Sequence, residues 1–170
     1  MPERNERLGT PFVLTRTFDA PRDLVWRTWT EREHLMRWFG PKGFSMPAAS
    51  LDLRAGGHFL YCLHSGDGME LWGKWVFREV VAPERLVLVQ SFSDAQGGVT
   101  RHPMNPSWPR QTLSVTTFAE NGGRTAMTLH WSPLDATGEE QRTFDAGHAS
   151  MQQGWGGTLD RLTDYLVGLH

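Results

Sequence analysis

The C-terminal segment of the chain limits its fold more than any other part of the sequence. Large side chains recur there at steps of three or four residues, which is the spacing of one helical face. They are Phe144, His148, Met151, Trp155, Leu159, Leu162, Leu166 and Leu169. Thr137 stands three residues before Glu140, as in a capping box. The pattern predicts one long helix from Glu139 to Leu169, bent at the glycine-rich residues 154–157 in preference to broken there.

A helix with so long an apolar stripe needs an equally long apolar surface to cover it, and the preceding residues supply a sheet. Residues 11–18, and six segments between about 44 and 132, alternate in polarity or are rich in β-forming residues. Short turns containing glycine, proline, asparagine and aspartate separate them. Connections this short imply antiparallel neighbours.

Two short helices are predicted between the first strand and the second. A proline suits the first turn of a helix over about 21–29. Thr30 and Glu33 have capping-box spacing for a second helix, which Gly40-Pro41 ends. The predicted fold class is therefore α+β, with a curved antiparallel sheet of six or seven strands wrapped around the long C-terminal helix.

An apolar cavity is expected between sheet and helix. Gaps between such elements are common sites for small ligands, and the eight tryptophans of the chain indicate a roomy aromatic interior. Residues 94–110 form a loop punctuated by glycine and proline. A loop of this length within a compact domain is typically functional or mobile.

The composition restricts the classes of partner. The chain of 170 residues, with 39% hydrophobic and 21% charged residues, is typical of one globular domain, expected to span 1–170 with a core from about 12 to 168. A net charge of -2 without a run of basic residues argues against binding to nucleic acid or to an anionic membrane. A single cysteine, a polar N-terminus without a leader and no run long enough to span a bilayer predict a cytoplasmic protein.

Three ordered segments resemble those of one protein family. Residues 18–41, FDAPRDLVWRTWTEREHLMRWFGP, look like the opening signature of bacterial proteins related to the activator of Hsp90 ATPase. Residues 56–92 resemble that family's central hairpins, and residues 154–166, GWGGTLDRLTDYL, resemble its C-terminal helix. The resemblance covers about 12–168 and implies the helix-grip fold of the START/Bet v 1-like (SRPBCC) superfamily. It implies less about function, because this superfamily includes lipid carriers, hormone receptors, cyclases and co-chaperones.

Three functions follow as hypotheses. The first is a binding protein that holds a small apolar or aromatic molecule between sheet and helix. The second, implied by the family resemblance, is an interaction module that stimulates an Hsp90-type chaperone, although the eukaryotic co-chaperones have a further N-terminal domain that this sequence does not show. The third is a cyclase- or hydrolase-like enzyme in the same cavity. The sequence also leaves open whether the protein forms a homodimer.

Alternation along the strands and the helical stripe indicate which side chains face the interior. The residues predicted to contact a ligand are Phe59, Tyr61, Leu71, Trp75, Phe77, Gln90, Met127, Leu129, Trp131, Phe144, His148, Met151 and Trp155. The alternative for each is that it fills a dry core, because a core needs the same large apolar side chains.

His58, Cys62 and His64 alternate onto one face of a single predicted strand. Such a set suits a thiolate nucleophile or, together with Glu70, a zinc site. The three residues share the face opposite Phe59, however, and are expected to point to solvent. No other cysteine or histidine completes a ligand set by its spacing. No metal and no cofactor is therefore expected.

His148 differs because it falls on the apolar stripe of the helix. It is either a core residue, a polar group that faces a ligand, or an acid or base near neutral pH. Tyr61, Gln90 and Arg78 are the other candidates to orient a polar end of a ligand. Since the sequence pairs none of them with a carboxylate, no catalytic residue is assigned, and enzymatic activity is left open.

Overall fold

A computed structural model describes residues 11–169 of the chain. The polar N-terminal segment, interpreted above as lacking a leader, lies outside the described residues. The strands are β1 (Phe12–Phe18), β2 (Phe44–Leu51), β3 (His58–Ser65), β4 (Glu70–Val81), β5 (Arg85–Ser93), β6 (Val99–Thr100), β7 (Thr112–Asn121) and β8 (Arg124–Pro133). The helices are α1 (Arg22–Thr30), α2 (Arg32–Trp38), α3 (Gly138–Ala146) and α4 (His148–Gly168).

One antiparallel sheet contains all of the described strands. Its order is β1-β8-β7-β5-β4-β3-β2, and the two-residue β6 pairs with β5 off this path. Register shifts interrupt β2 between Ser45 and Ala48 and β4 between Phe77 and Glu79, and bulges of this kind bend a strand and increase its twist. The predicted α+β class, a curved antiparallel sheet with a long C-terminal helix, is confirmed.

The junction between the two short helices differs from the prediction. Thr30 is the last residue of α1, and its buried hydroxyl donates to the carbonyl of Trp26 at 2.8 Å. Glu31 then adopts extended backbone, and α2 begins at Arg32 without a side-chain cap. The predicted capping box of Thr30 and Glu33 is therefore wrong, because the Thr30 hydroxyl is bonded back into the preceding helix.

The C-terminal helix is divided, but not at the glycines 154–157. The predicted capping box at Thr137 and Glu140 is confirmed: the Thr137 hydroxyl accepts from the Glu140 N–H at 3.1 Å, and the Glu140 carboxylate accepts from the Thr137 N–H at 3.0 Å. That helix, α3, ends at Ala146. Gly147 ends one helix and begins the next, and residues 154–157 lie inside α4. The single continuous helix predicted from the stripe is therefore corrected to two.

Polar contacts and a row of leucines fix α4 against the rest of the fold. Leu159, Leu162 and Leu166 are buried in the main core, each contributing about 1.5–3 kcal/mol of burial free energy. Arg16 on β1 donates to the Asp160 carboxylate at 3.1 Å. Of the described helices, none is both long enough and apolar enough to cross a membrane.

Candidate functional site

A cavity of about 590 Å³ lies between the sheet and the first half of α4. This volume is within the range of pockets that take small organic molecules, roughly 300–1,000 Å³. Strand residues at one end of the sheet form its floor: the end of β3, the start of β4, the end of β5, the start of β7 and the end of β8. Gly40-Pro41, the loop at 102–109 and the helices complete the wall.

Thirteen residues were predicted to contact a ligand, and the structure brings six of them to the cavity wall. These six are Tyr61, Leu71, Gln90, Trp131, Met151 and Trp155. The strand register explains the grouping on the sheet. Tyr61 pairs with Gly73 of β4, Leu71 lies two residues from that glycine, and Phe92 of β5 pairs with it from the other side.

The other seven predicted residues do not reach the cavity wall: Phe59, Trp75, Phe77, Met127, Leu129, Phe144 and His148. Six of these are fully or almost fully buried, and His148 is half-buried. On the strands they lie toward the other end of the sheet. Trp75 pairs with Phe59, and its indole lies 6.4 Å from that of Trp29 of α1. The interior is thus filled at one end by aromatic packing and hollow at the other.

The loop predicted at 94–110 forms part of the cavity wall through His102, Asn105, Trp108 and Pro109. None of these was among the predicted contacts. Trp108 packs 5.5 Å from the Phe144 ring, measured between centroids. The signal available in the sequence was a tryptophan between two prolines in a long loop, since an aromatic side chain of that size seldom lies free in water.

An ion pair fastens this loop to the start of α3. Arg101 donates to the Glu140 carboxylate at 2.8 Å and to the Pro106 carbonyl at 3.2 Å. The hydrogen bond from Arg101 lowers the pKa of Glu140 below its ordinary value. Ser107 donates to Glu139, one residue away. Arg101 and Ser107 therefore both tie the loop to the first turn of α3.

A second set of hydrogen bonds holds the part of the cavity wall that Gly40 and Pro41 form. Arg161 of α4 donates to the carbonyls of Gly40 at 3.0 Å and Pro41 at 2.9 Å. Gly40 has a φ of 111°, a left-handed conformation that L side chains rarely adopt. The segment that follows α2 is thereby brought against α4 and forms one edge of the cavity.

The cavity wall is electrically neutral. Among the described residues that form it there is no Asp, Glu, Lys or Arg side chain. Burial lowers the pKa of His102, which favours its neutral imidazole at physiological pH. Burial also raises the pKa of the Tyr61 phenol. Gln90, Asn105 and Thr112 add hydrogen-bonding groups without charge, so the site suits an uncharged ligand.

His148 and Arg78, two of the candidates for a polar role, lie away from the cavity. The His148 ring packs edge-on against Phe12 and Phe144, at 5.8 and 5.6 Å between centroids. Its Nε2 is buried and has no hydrogen-bond partner among residues 11–169. Arg78 is exposed at the register shift of β4. The structure therefore brings neither group to a place where it would touch a molecule in the cavity.

One residue of the histidine and cysteine set on β3 differs from the prediction. Cys62 is buried rather than turned to solvent. Burial, and then the nearby Glu70 carboxylate, raise the pKa of the Cys62 thiol to about 11, so a thiolate nucleophile is not favoured. The His58 imidazole lies 3.0 Å from the Ser50 hydroxyl, whereas His64 Nε2 lies 2.9 Å from the Glu70 carboxylate. Only His64 therefore shares a site with Cys62.

Known proteins match this chain in fold and in family. The model of a family described as activator of Hsp90 ATPase homolog 1-like protein matches residues 19–167. A solved structure from Nitrosomonas europaea has a TM-score of 0.73 and 25% identity, and the match covers 93% of this chain and 94% of that one. No curated protein matches.

Two further solved structures show the fold at lower identity. A protein from Rhodobacter sphaeroides has a TM-score of 0.76 and 18% identity, over 95% of this chain and 97% of that one. The AHSA1 protein from Silicibacter pomeroyi has a TM-score of 0.70 and 18% identity, over 95% of this chain and 100% of that one.

Proposed function

This chain belongs to the family of activator of Hsp90 ATPase homolog 1-like proteins, and we propose that it binds an uncharged apolar or aromatic molecule in the cavity between its sheet and α4. The observation that supports the proposal is the cavity of about 590 Å³ with a wall free of ionised side chains among the described residues. A charged ligand would lose its hydration in this cavity without gaining a counter-ion.

The wall chemistry narrows the class of ligand. Trp108, Trp131 and Trp155 supply flat aromatic surfaces, and Leu71 and Met151 supply flexible apolar ones. Such walls favour a molecule with an aromatic or branched hydrocarbon body. Hydrogen-bonding groups are few, which is typical of a pocket where polar contacts set orientation and apolar burial sets affinity.

Native mass spectrometry of the purified full chain, incubated with lipid extracts and with a library of neutral aromatic and aliphatic compounds, tests the proposal. Wild-type protein is expected to retain at least one neutral compound. Leu71→Trp fills part of the cavity and should reduce that binding. Val13→Trp places the same side chain on the solvent face of β1, where Val13 is 49% exposed, and should leave binding unchanged. No retained compound, or equal binding by both variants, would refute the proposal.

The family match supports a second candidate, a module that stimulates the ATPase of an Hsp90-type chaperone. Its test is a steady-state ATPase assay of the chaperone from the same cell, with and without this protein. An unchanged rate at saturating concentration would exclude it. Val13→Trp and Leu71→Trp also separate the two candidates, since a surface function does not depend on the cavity volume.

Two finer proposals remain from the sequence. A cytoplasmic location is supported by a single free cysteine, which a reducing compartment tolerates, and fractionation of the cells tests it. A homodimer is tested by sedimentation equilibrium at several concentrations, where a constant monomer mass would exclude it.

A further inference from the structure

A cluster of three potential metal ligands lies on the face of the sheet opposite the cavity. Cys62 and His64 are two residues apart on β3, so their side chains project from the same face. Glu70, the first residue of β4, is the direct cross-strand partner of His64. The Sγ, imidazole nitrogen and carboxylate oxygen of the three residues all lie within 4.8 Å of one another.

We propose that Cys62, His64 and Glu70 form a binding site for a divalent metal ion of the zinc class. Thiolate, imidazole and carboxylate are the three side-chain ligands that Zn²⁺ takes in proteins. Zinc bonds of about 2.0–2.3 Å in tetrahedral geometry place ligand atoms roughly 3.5 Å apart. The ligand atoms of the cluster lie within 4.8 Å of one another, so the widest separation has to shrink by at most about 1.3 Å when the ion binds. Magnesium and calcium prefer oxygen ligands, so the sulfur and nitrogen disfavour them.

The surroundings of the cluster hold its ligands in place. Two paired strands support all three residues, which limits backbone movement. The Trp72 indole N–H lies 3.3 Å from Glu70 Oε1 and donates to it, which leaves Oε2 as the oxygen 2.9 Å from His64 Nε2. Hydrogen bonds of this kind orient metal ligands in known sites.

Charge and exposure also agree with a metal ion. The Cys62 thiol gives up its proton to solvent when the ion binds. The resulting thiolate and the Glu70 carboxylate balance the divalent charge, and the neutral imidazole adds none. Cys62 is buried, while the side chains of His64 and Glu70 are 42% and 53% exposed. The ion would therefore bind at the surface with three protein ligands, and its fourth position would face solvent, where water or another donor completes the tetrahedron.

The metal site is distinct from the cavity, because its ligands project from the face of the sheet opposite Tyr61 and Leu63. Its effect would be to tie the start of β4 to the end of β3, next to the turn at 66–69. Metal binding contributes to stability when the ion binds the folded state only. The metal ion would therefore hold the β3–β4 hairpin from its outer face, whereas Tyr61 and Leu71 on its inner face line the cavity.

Titration of metal-free full-length protein with Co²⁺, followed by competition with Zn²⁺, tests the proposal. One equivalent of Co²⁺ should produce thiolate-to-cobalt charge-transfer absorption and the visible bands of a tetrahedral ion. Cys62→Ala should abolish the charge-transfer band. His64→Gln and Glu70→Gln should each weaken Zn²⁺ binding by at least about tenfold. His58→Gln is the matched control, a histidine on the same strand and face that lies outside the cluster, and should bind as wild type does.

Three outcomes would overturn the site: no charge-transfer band in the wild-type protein, a band that persists in Cys62→Ala, or an equal loss of affinity in His58→Gln and His64→Gln. Circular dichroism of each variant establishes that it is folded. Cys62→Ser keeps the volume of the buried side chain and repeats the test if Cys62→Ala unfolds.

Discussion

The aromatic ring of Tyr61 lies directly over the backbone of Gly73, its cross-strand partner on β4. A Cβ atom at Gly73 would overlap Cζ and the hydroxyl oxygen of the ring. The ring also stacks on Phe59 at 4.9 Å between centroids. Gly73 therefore makes room for the tyrosine that forms this part of the cavity wall, and the absence of a side chain at Gly73 sets the position of that ring.

Gly73→Ala is expected to lower the free energy of unfolding by about 1–3 kcal/mol, because the new methyl group must push the buried Tyr61 ring aside. Urea unfolding followed by tryptophan fluorescence measures the change. In a Tyr61→Ala background the same substitution should cost much less, since the obstructing ring is gone, and a double-mutant cycle isolates this coupling.

Gly66→Ala is the control for this prediction. Gly66 lies in the exposed turn between β3 and β4, and a Cβ there would meet no atom within 4 Å. Its substitution should change stability by less than about 0.5 kcal/mol. Equal losses at Gly66 and Gly73 would show that the ring contact is not the cause.

The glycines inside α4 give a second prediction. A Cβ at Gly154 or at Gly156 would meet no atom within 4 Å, and alanine is the better helix former by up to about 1 kcal/mol. Gly154→Ala and Gly156→Ala should therefore both raise the midpoint of urea unfolding. Of these two glycines, Gly154 lines the cavity and Gly156 does not. Gly154→Ala is therefore expected to alter the affinity for a cavity ligand, and Gly156→Ala is not.

A stability gain in one variant without the other would contradict the helix-propensity argument. An equal change in ligand affinity for both would place the ligand elsewhere on α4. Isothermal titration with a compound identified by mass spectrometry separates the two effects, because affinity and unfolding are measured on the same samples.

Much of the fold could be predicted because the spacing of apolar residues and the positions of turn-forming residues can be read from short stretches of sequence. The predicted helix over about 21–29 corresponds to α1, Arg22–Thr30, and the alternating segments correspond to the long strands. The break in the C-terminal helix at Gly147 could not be predicted from the spacing of its apolar residues. Phe144 and Met151 enter the same core from either side of Gly147, so burial stays periodic although the backbone changes conformation for one residue.

The cavity wall was only half predictable, for a different reason. Strand parity correctly indicated that Phe59, Tyr61 and Phe77 face inward. It could not tell which inward positions are packed by the aromatic side chains of α1 and which face empty space, because that depends on where the short helices sit. Trp108 and His102 were missed because a loop has no periodicity from which to infer its position.

His148 yields a third prediction. Its buried Nε2 has no hydrogen-bond partner among the described residues, and an unsatisfied buried group costs about 1–3 kcal/mol. His148→Phe keeps the edge-on contacts with Phe12 and Phe144 and removes the nitrogen. The variant is expected to be at least as stable as the wild type in thermal unfolding.

The affinity for a cavity ligand should be the same in His148→Phe and wild type, because His148 does not line the cavity. A lower stability, or loss of a turnover detected in the wild type, would instead show that the nitrogen has a partner or a chemical role. His148→Gln restores a polar group at the position and distinguishes these two outcomes.

The ion pair of Arg101 and Glu140 predicts a specific dependence of stability on pH. The hydrogen bond from Arg101 lowers the folded-state pKa of Glu140, whose ordinary value is about 4.3. A lowered carboxyl pKa stabilises the fold at pH above the unfolded value, and this contribution is lost as pH falls through the folded value. Wild type should therefore exceed Arg101→Gln in unfolding free energy near neutral pH, and the gap should close below about pH 4.

Urea unfolding of both proteins across this pH range measures the gap. Arg101→Gln leaves the Glu140 side chain free to cap Thr137, so α3 keeps its capping box. Arg85→Gln is the matched control, because Arg85 pairs with the exposed Glu79 at 3.1 Å, and exposed pairs contribute little. A difference in unfolding free energy that stays constant from neutral to acid pH would contradict this prediction. It would show that Arg101 stabilises the loop by packing and not through the charge of Glu140.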